Sequence, residues 1–126
     1  MRKTLLLFIV AASLYACGGG DKTGDTGTEK KEEKKVSDDP AYTEGMTLVA
    51  NNGCPTCHKI DEASTGPEYR KVAEKYANTP ENITMLAGKV VKGGSGNWGT
   101  VPMTPHPDVS QGDAEKMVKY ILMLKK

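Results

Sequence analysis

The sequence predicts an all-α domain of four to five short helices, behind a targeting segment and a tether. Three observations carry that prediction. Segments with apolar residues at helical spacing recur, bounded by N-cap residues, prolines and glycines. The alternation that marks a half-buried strand is poorly represented. The core is also short of material: aromatic residues make up 6% of the 126 positions, and the single Phe, Phe8, lies in the N-terminal segment. A domain so thinly filled needs a staple such as a metal, disulfides or a cofactor.

Length and charge set further bounds. A chain of this size suits one domain with a targeting segment beside it. Its 17 Lys and Arg nearly balance 16 Asp and Glu, for a net charge of +1. That leaves no cationic excess to neutralise phosphates, so a nucleic-acid partner is not expected. Three Cys are too few for a disulfide scaffold.

Residues 1–16 read as a signal peptide. Arg2 and Lys3 precede the apolar run from Leu5 to Ala16, the pattern of a secretory signal. The run is too short to span a bilayer core, which takes about 20 apolar residues. Leu14-Tyr15-Ala16-Cys17 resembles the lipobox of bacterial lipoproteins. That resemblance implies cleavage before Cys17, a lipid on Cys17, and an exported protein anchored to a membrane and facing the periplasm or cell exterior. An ordinary cleaved signal with an unmodified Cys is the alternative.

Residues 17–37 read as the lipidated Cys and a linker. Gly18 to Thr28 and Glu29 to Lys35 hold almost no apolar side chains, too few to offset the entropy of ordering the backbone. A helix over the Glu/Lys run is opposed by like charges at i, i+4 in Glu29/Glu33, Lys30/Lys34 and Lys31/Lys35. Such a linker has an r.m.s. span of roughly 25 Å and reaches about 70 Å at full stretch.

The domain is expected over residues 38–126. Asp39-Pro40 caps a first helix whose face is Tyr42, Met46, Val49 and Ala50, and Gly53 closes it. Pro67 is placed to start a second, with Tyr69, Val72, Ala73 and Tyr76 on one side. Thr79-Pro80-Glu81 opens a third, carrying Ile83, Leu86, Ala87 and Val90 before Gly93-Gly94. Ser110 to Asp113 resembles a capping box for the last, with Ala114, Met117, Val118, Ile121, Leu122 and Leu124 apolar. Gly and Pro punctuate residues 93–107, which read as irregular.

Cys54-Pro55-Thr56-Cys57-His58 supplies the staple. This C-x-x-C-H run is the attachment signature of c-type haem. Two thiols three positions apart form thioethers to both vinyl groups along one porphyrin edge, and the adjoining His is held beneath the ring to bind iron. A thioredoxin-like redox pair is disfavoured, because no strand precedes Cys54. A closed zinc site needs four ligands, and only His106 and the distant Cys17 remain to complete one.

The second axial ligand decides the chemistry. Met46, Met85, Met117 and Met123 lie within helical patterns and read as core. Met103 lies in Val101-Pro-Met-Thr-Pro-His-Pro107, a rigid extended segment that fixes its side chain away from helical packing. His106 is the alternative ligand.

Asn52-Gly53 before the motif, Gly66-Pro67, Asn97-Trp98-Gly99, Pro102-Met103 and a final amphipathic helix follow one another in a fixed order. In this, residues 45–126 resemble a class I cytochrome c of the small bacterial c-551 type. The resemblance implies the cytochrome c fold, four to five short helices around one covalently bound haem c. It implies His58 and Met103 as axial ligands, with the Pro67 carbonyl accepting the His58 ring N–H and Trp98 donating its indole N–H to a haem propionate. Gly45 and Tyr120 fall where the family crosses its first and last helices. His106 stands where the family often has Asn.

Two strong axial ligands leave iron no open position, and Met/His ligation raises the potential. The expected function is therefore membrane-tethered electron carriage by a monomer between respiratory redox proteins, with no enzymatic activity. Two other readings stay open. One is a haem-based ligand sensor or peroxidase-like domain, and the other a fixed electron-entry module of a membrane oxidoreductase.

Overall fold

The computed structural model describes residues 35–126. Residues 1–34, where the sequence predicts a signal peptide, the lipidated Cys17 and most of a linker, lie outside the described residues. A single 3-10 turn at Val36–Asp38 leads into the first helix.

Helix α1 (Pro40–Asn51) begins where Asp39, in extended conformation, accepts from the Ala41 N–H at 2.9 Å. Proline at the first helical position has no N–H to leave unsatisfied. Helix α2 is short (Tyr69–Lys75). Helix α3 (Pro80–Lys92) is capped by the Thr79 hydroxyl, and α4 (Gln111–Leu122) by the Ser110 hydroxyl, which accepts from the Asp113 N–H at 3.1 Å. Each cap satisfies an N–H that has no partner inside its helix.

Helix α4 organises the core. It packs against α1, α3 and α2, with Ala114, Met117, Val118, Tyr120 and Leu122 buried along it. Burying each larger apolar side chain contributes about 1.5–3 kcal/mol. Small residues set the close approaches. A Cβ on Gly45 would fall 2.4 Å from the Lys116 carbonyl oxygen and 2.5 Å from the Tyr120 Cβ, so α1 and α4 cross where α1 has no side chain. Tyr42 and Tyr120 meet edge to face beside that crossing, with ring centroids 4.9 Å apart.

Three details depart from the sequence expectation. Helix α2 starts at Tyr69 rather than Pro67, because Tyr69 and Arg70 give their N–H groups to Lys59 and Ile60 carbonyls at 2.9 and 3.1 Å. The loop after His58 thus supplies the partners that the start of a helix needs. Met46 and Met85 are not core: they are 42% and 40% exposed, whereas Met117 is buried. Residues 94–103 form a small antiparallel hairpin, β1 (Gly94–Gly96) and β2 (Gly99–Met103), pairing Gly94 with Met103 and Gly96 with Gly99. Gly94, Gly96 and Gly99 hold φ of 134°, 100° and 110°, which side-chain-bearing residues rarely adopt. Nearly every hairpin position is exposed, so the pairing leaves no alternation to read.

Candidate haem site

Gly53 turns the chain out of α1 with φ 68°, a left-handed conformation open to glycine at low cost. The motif then coils into one 3-10 turn, Cys54–Thr56. The Cys57 and His58 N–H groups both donate to the Cys54 carbonyl, at 3.2 and 3.1 Å. Both thiols and the His are thereby gathered on a single compact turn. Cys54 is half-buried and Cys57 exposed, and neither is in a disulfide. Burial pushes the Cys54 thiol above its ordinary range, which favours the neutral thiol.

His58 is held by the segment that follows it. Its Nδ1 lies 2.8 Å from the Pro67 carbonyl oxygen. A carbonyl can only accept, so Nδ1 carries the proton and Nε2 keeps its lone pair. Gly66 sits directly against the ring: a Cβ there would fall 2.3 Å from Cε1, 2.6 Å from Nδ1 and 2.8 Å from Nε2. The Gly66 N–H in turn donates to the Cys57 carbonyl at 2.8 Å. Gly66 and Pro67 therefore act as a pair, one giving the imidazole room and the other its orientation.

Met103 ends β2 and is half-buried. Its backbone is pressed against the end of α3, where a Cβ on Gly93 would meet the Met103 carbonyl oxygen at 2.5 Å. Gly93 also holds φ 68°, so no other residue suits this position. Three residues on, the His106 N–H donates to the Val90 and Val91 carbonyls at 3.1 and 3.2 Å. The segment bearing Met103 is thus strapped across the last turn of α3. Trp98, in the hairpin turn, is 43% exposed. Lys75 of α2 reaches over its ring at 4.5 Å and donates to the Asn97 carbonyl at 3.1 Å.

These residues fit a covalently bound haem. Two thiols outside any disulfide stand on the turn just before an imidazole with one nitrogen committed to a carbonyl and the other free to bind a metal. Ile60, Trp98 and Val101, on the segments that carry His58 and Met103, are large apolar side chains left 40%, 43% and 61% exposed, surface that an apolar macrocycle would cover.

The family model for cytochrome c matches residues 42–125. The chain belongs to the cytochrome c family. It is 42% identical over 78 residues to cytochrome c-552 of Hydrogenobacter thermophilus, covering 62% of this chain and 79% of that protein. Against cytochrome c-551 of Azotobacter vinelandii it is 41% identical over 78 residues, covering 62% and 94%. The crystal structure of wild-type Nitrosomonas europaea cytochrome c552 superposes with a TM-score of 0.59 at 40% identity, covering 64% of this chain and 99% of that one. This cytochrome carries one covalently bound haem c and is an electron-transfer protein, not an enzyme.

The structure brings Cys54, Cys57, His58 and Pro67 together on one turn and its following loop, and places Met103 and Trp98 on the hairpin. Two neighbours of His58 had no role in the sequence reading. Gly66 figured only as a motif position, and Tyr69 as one residue of an apolar helix face. Tyr69 stacks on the His58 ring, with centroids 5.4 Å apart and planes 14° from parallel. The signal that could have found it is an aromatic residue two positions after Pro67, at the head of a helix.

Proposed function

We propose that this cytochrome carries single electrons between redox proteins while tethered to a membrane by a lipid on Cys17. In this reading Cys54 and Cys57 bear the haem, His58 and Met103 are its axial ligands, and Trp98 donates to a propionate. Residues 1–16 are the export signal, 17–37 the lipidated Cys and tether, and 38–126 the haem domain, on the periplasmic or outer side of the membrane. The observation that carries the reading is the His58 Nδ1 bond to the Pro67 carbonyl, which leaves Nε2 as the ring's one metal-binding nitrogen.

Bound haem supplies an Fe(II)/Fe(III) couple. The chain's part is to hold both ligands still through the redox cycle. Pro67 and Gly66 fix the imidazole, while the strap across α3 fixes Met103, so little reorganisation accompanies electron transfer. Among the described residues no helix is long and apolar enough to cross a membrane.

Optical spectra of the membrane and soluble fractions, oxidised and reduced, test the whole reading. The c-type bands and the sulfur-to-iron charge-transfer band of the oxidised form should sit in the membrane fraction. Absence of the charge-transfer band would refute Met103 ligation. Carbon monoxide binding to the undenatured reduced protein would favour a ligand sensor instead.

A further inference from the structure

We propose that Tyr69 is a positioning residue of the haem site, locking the plane of the His58 imidazole with its ring. The inference rests on His58 being an axial ligand. A bond from Nδ1 to the Pro67 carbonyl fixes one point of the imidazole, and a ring pinned at one point can still rock. A second constraint is needed to set its plane, and a near-parallel aromatic ring supplies it.

Tyr69 is well placed to resist that motion. It is the first residue of α2 and only 4% exposed. Its own N–H and that of Arg70 bind the Lys59 and Ile60 carbonyls, the two residues that follow His58. The stacking ring is therefore stitched to the same loop as the ring it stacks on.

The ring rather than the hydroxyl carries this role, since the hydroxyl is buried with no hydrogen-bond partner among the described residues.

The test compares Tyr69→Phe and Tyr69→Leu with the wild-type holoprotein by NMR and potentiometry. In the oxidised state the pattern of haem methyl shifts reports the plane of an axial imidazole. Tyr69→Phe should keep the wild-type pattern and potential, because the stacking ring is retained. Tyr69→Leu should change the pattern. A Leu variant that loses thermal stability but keeps pattern and potential overturns the positioning role, and so does a Tyr69→Phe variant with the altered pattern of Tyr69→Leu. If Tyr69→Leu holds no haem, the reduced wild-type protein decides: cross-relaxation between the Tyr69 and His58 ring protons is expected, and its absence overturns the proposal. His58 ring protons without the strong upfield shift of an axial ligand would instead refute the ligation on which the inference rests.

Discussion

At the scale of single residues, Met103 and Gly66 make the sharpest demands on the site. If Met103 is the second axial ligand, Met103→Ala should leave a folded haem protein with a lower potential and an iron open to exogenous ligands. Losing a soft sulfur ligand destabilises Fe(II) and vacates a coordination position together. Potentiometry and carbon monoxide titration measure both. Met85→Ala is the control: that side chain is 40% exposed on α3 and should change neither quantity. Gly66→Ala tests the other side of the site. Its Cβ would fall 2.3 Å from the His58 ring, so the ring or the loop must shift, at about 1–3 kcal/mol of overpacking. Thermal unfolding of the holoprotein should show that loss, with an altered spectrum because the displaced group is His58. A variant as stable as wild type would mean the loop yields freely. The residues of the motif itself were legible in the sequence because thioether and iron chemistry fixes their spacing. Gly66 against the imidazole and Tyr69 stacked on it were not, since those contacts arise from how the loop folds back.

Among elements, legibility followed the caps. Helices α1, α3 and α4 announced themselves through Asp39-Pro40, Thr79-Pro80 and Ser110, whose side chains do accept from the first-turn N–H groups. Helix α2 has no side-chain cap, and its start is set by carbonyls of a loop some ten residues earlier, so no local signal marks it. The hairpin was equally silent, being built on glycine conformations and on the strap across α3. The loop after His58 is also tied to the far end of the chain. Arg70 forms an ion pair with Asp61 and donates to the Leu124 carbonyl, and Lys126 lies 3.8 Å from Asp61. Hydrogen bonding from Arg70 holds the Asp61 carboxyl below its ordinary range. A carboxylate depressed in the folded state contributes stability that is present above its unfolded pKa and lost as pH falls through the folded value. Asp61→Asn should therefore unfold at lower temperature than wild type at neutral pH, the gap closing as pH drops below the ordinary carboxylate range. Thermal melts across an acid series would show it, and a gap independent of pH would assign the loss to packing.

Across the whole molecule, the proposed division of labour puts electron transfer in residues 38–126 and membrane attachment at Cys17. Among the described residues, the contacts that orient the His58 imidazole come from residues 66–69. Attachment and haem chemistry should then be separable. Cys17→Ser should be exported, acquire haem and fold with the wild-type potential, yet appear in the soluble periplasmic fraction. A single acyl chain binds membranes only marginally, whereas the several chains of a bacterial lipoprotein hold firmly, so the change in fractionation should be near complete. Shortening the linker by about fifteen residues removes roughly 50 Å of full reach. It should leave the potential untouched and slow electron transfer to any partner beyond the shorter span. Cys17→Ser that stays on the membrane in both low and high salt would place the anchor elsewhere, in an uncleaved N-terminus or in a partner protein. Unchanged turnover after shortening would reduce the linker to a spacer. Loss of haem from Cys17→Ser would overturn the separation itself, because it would make maturation of the haem domain depend on the anchor.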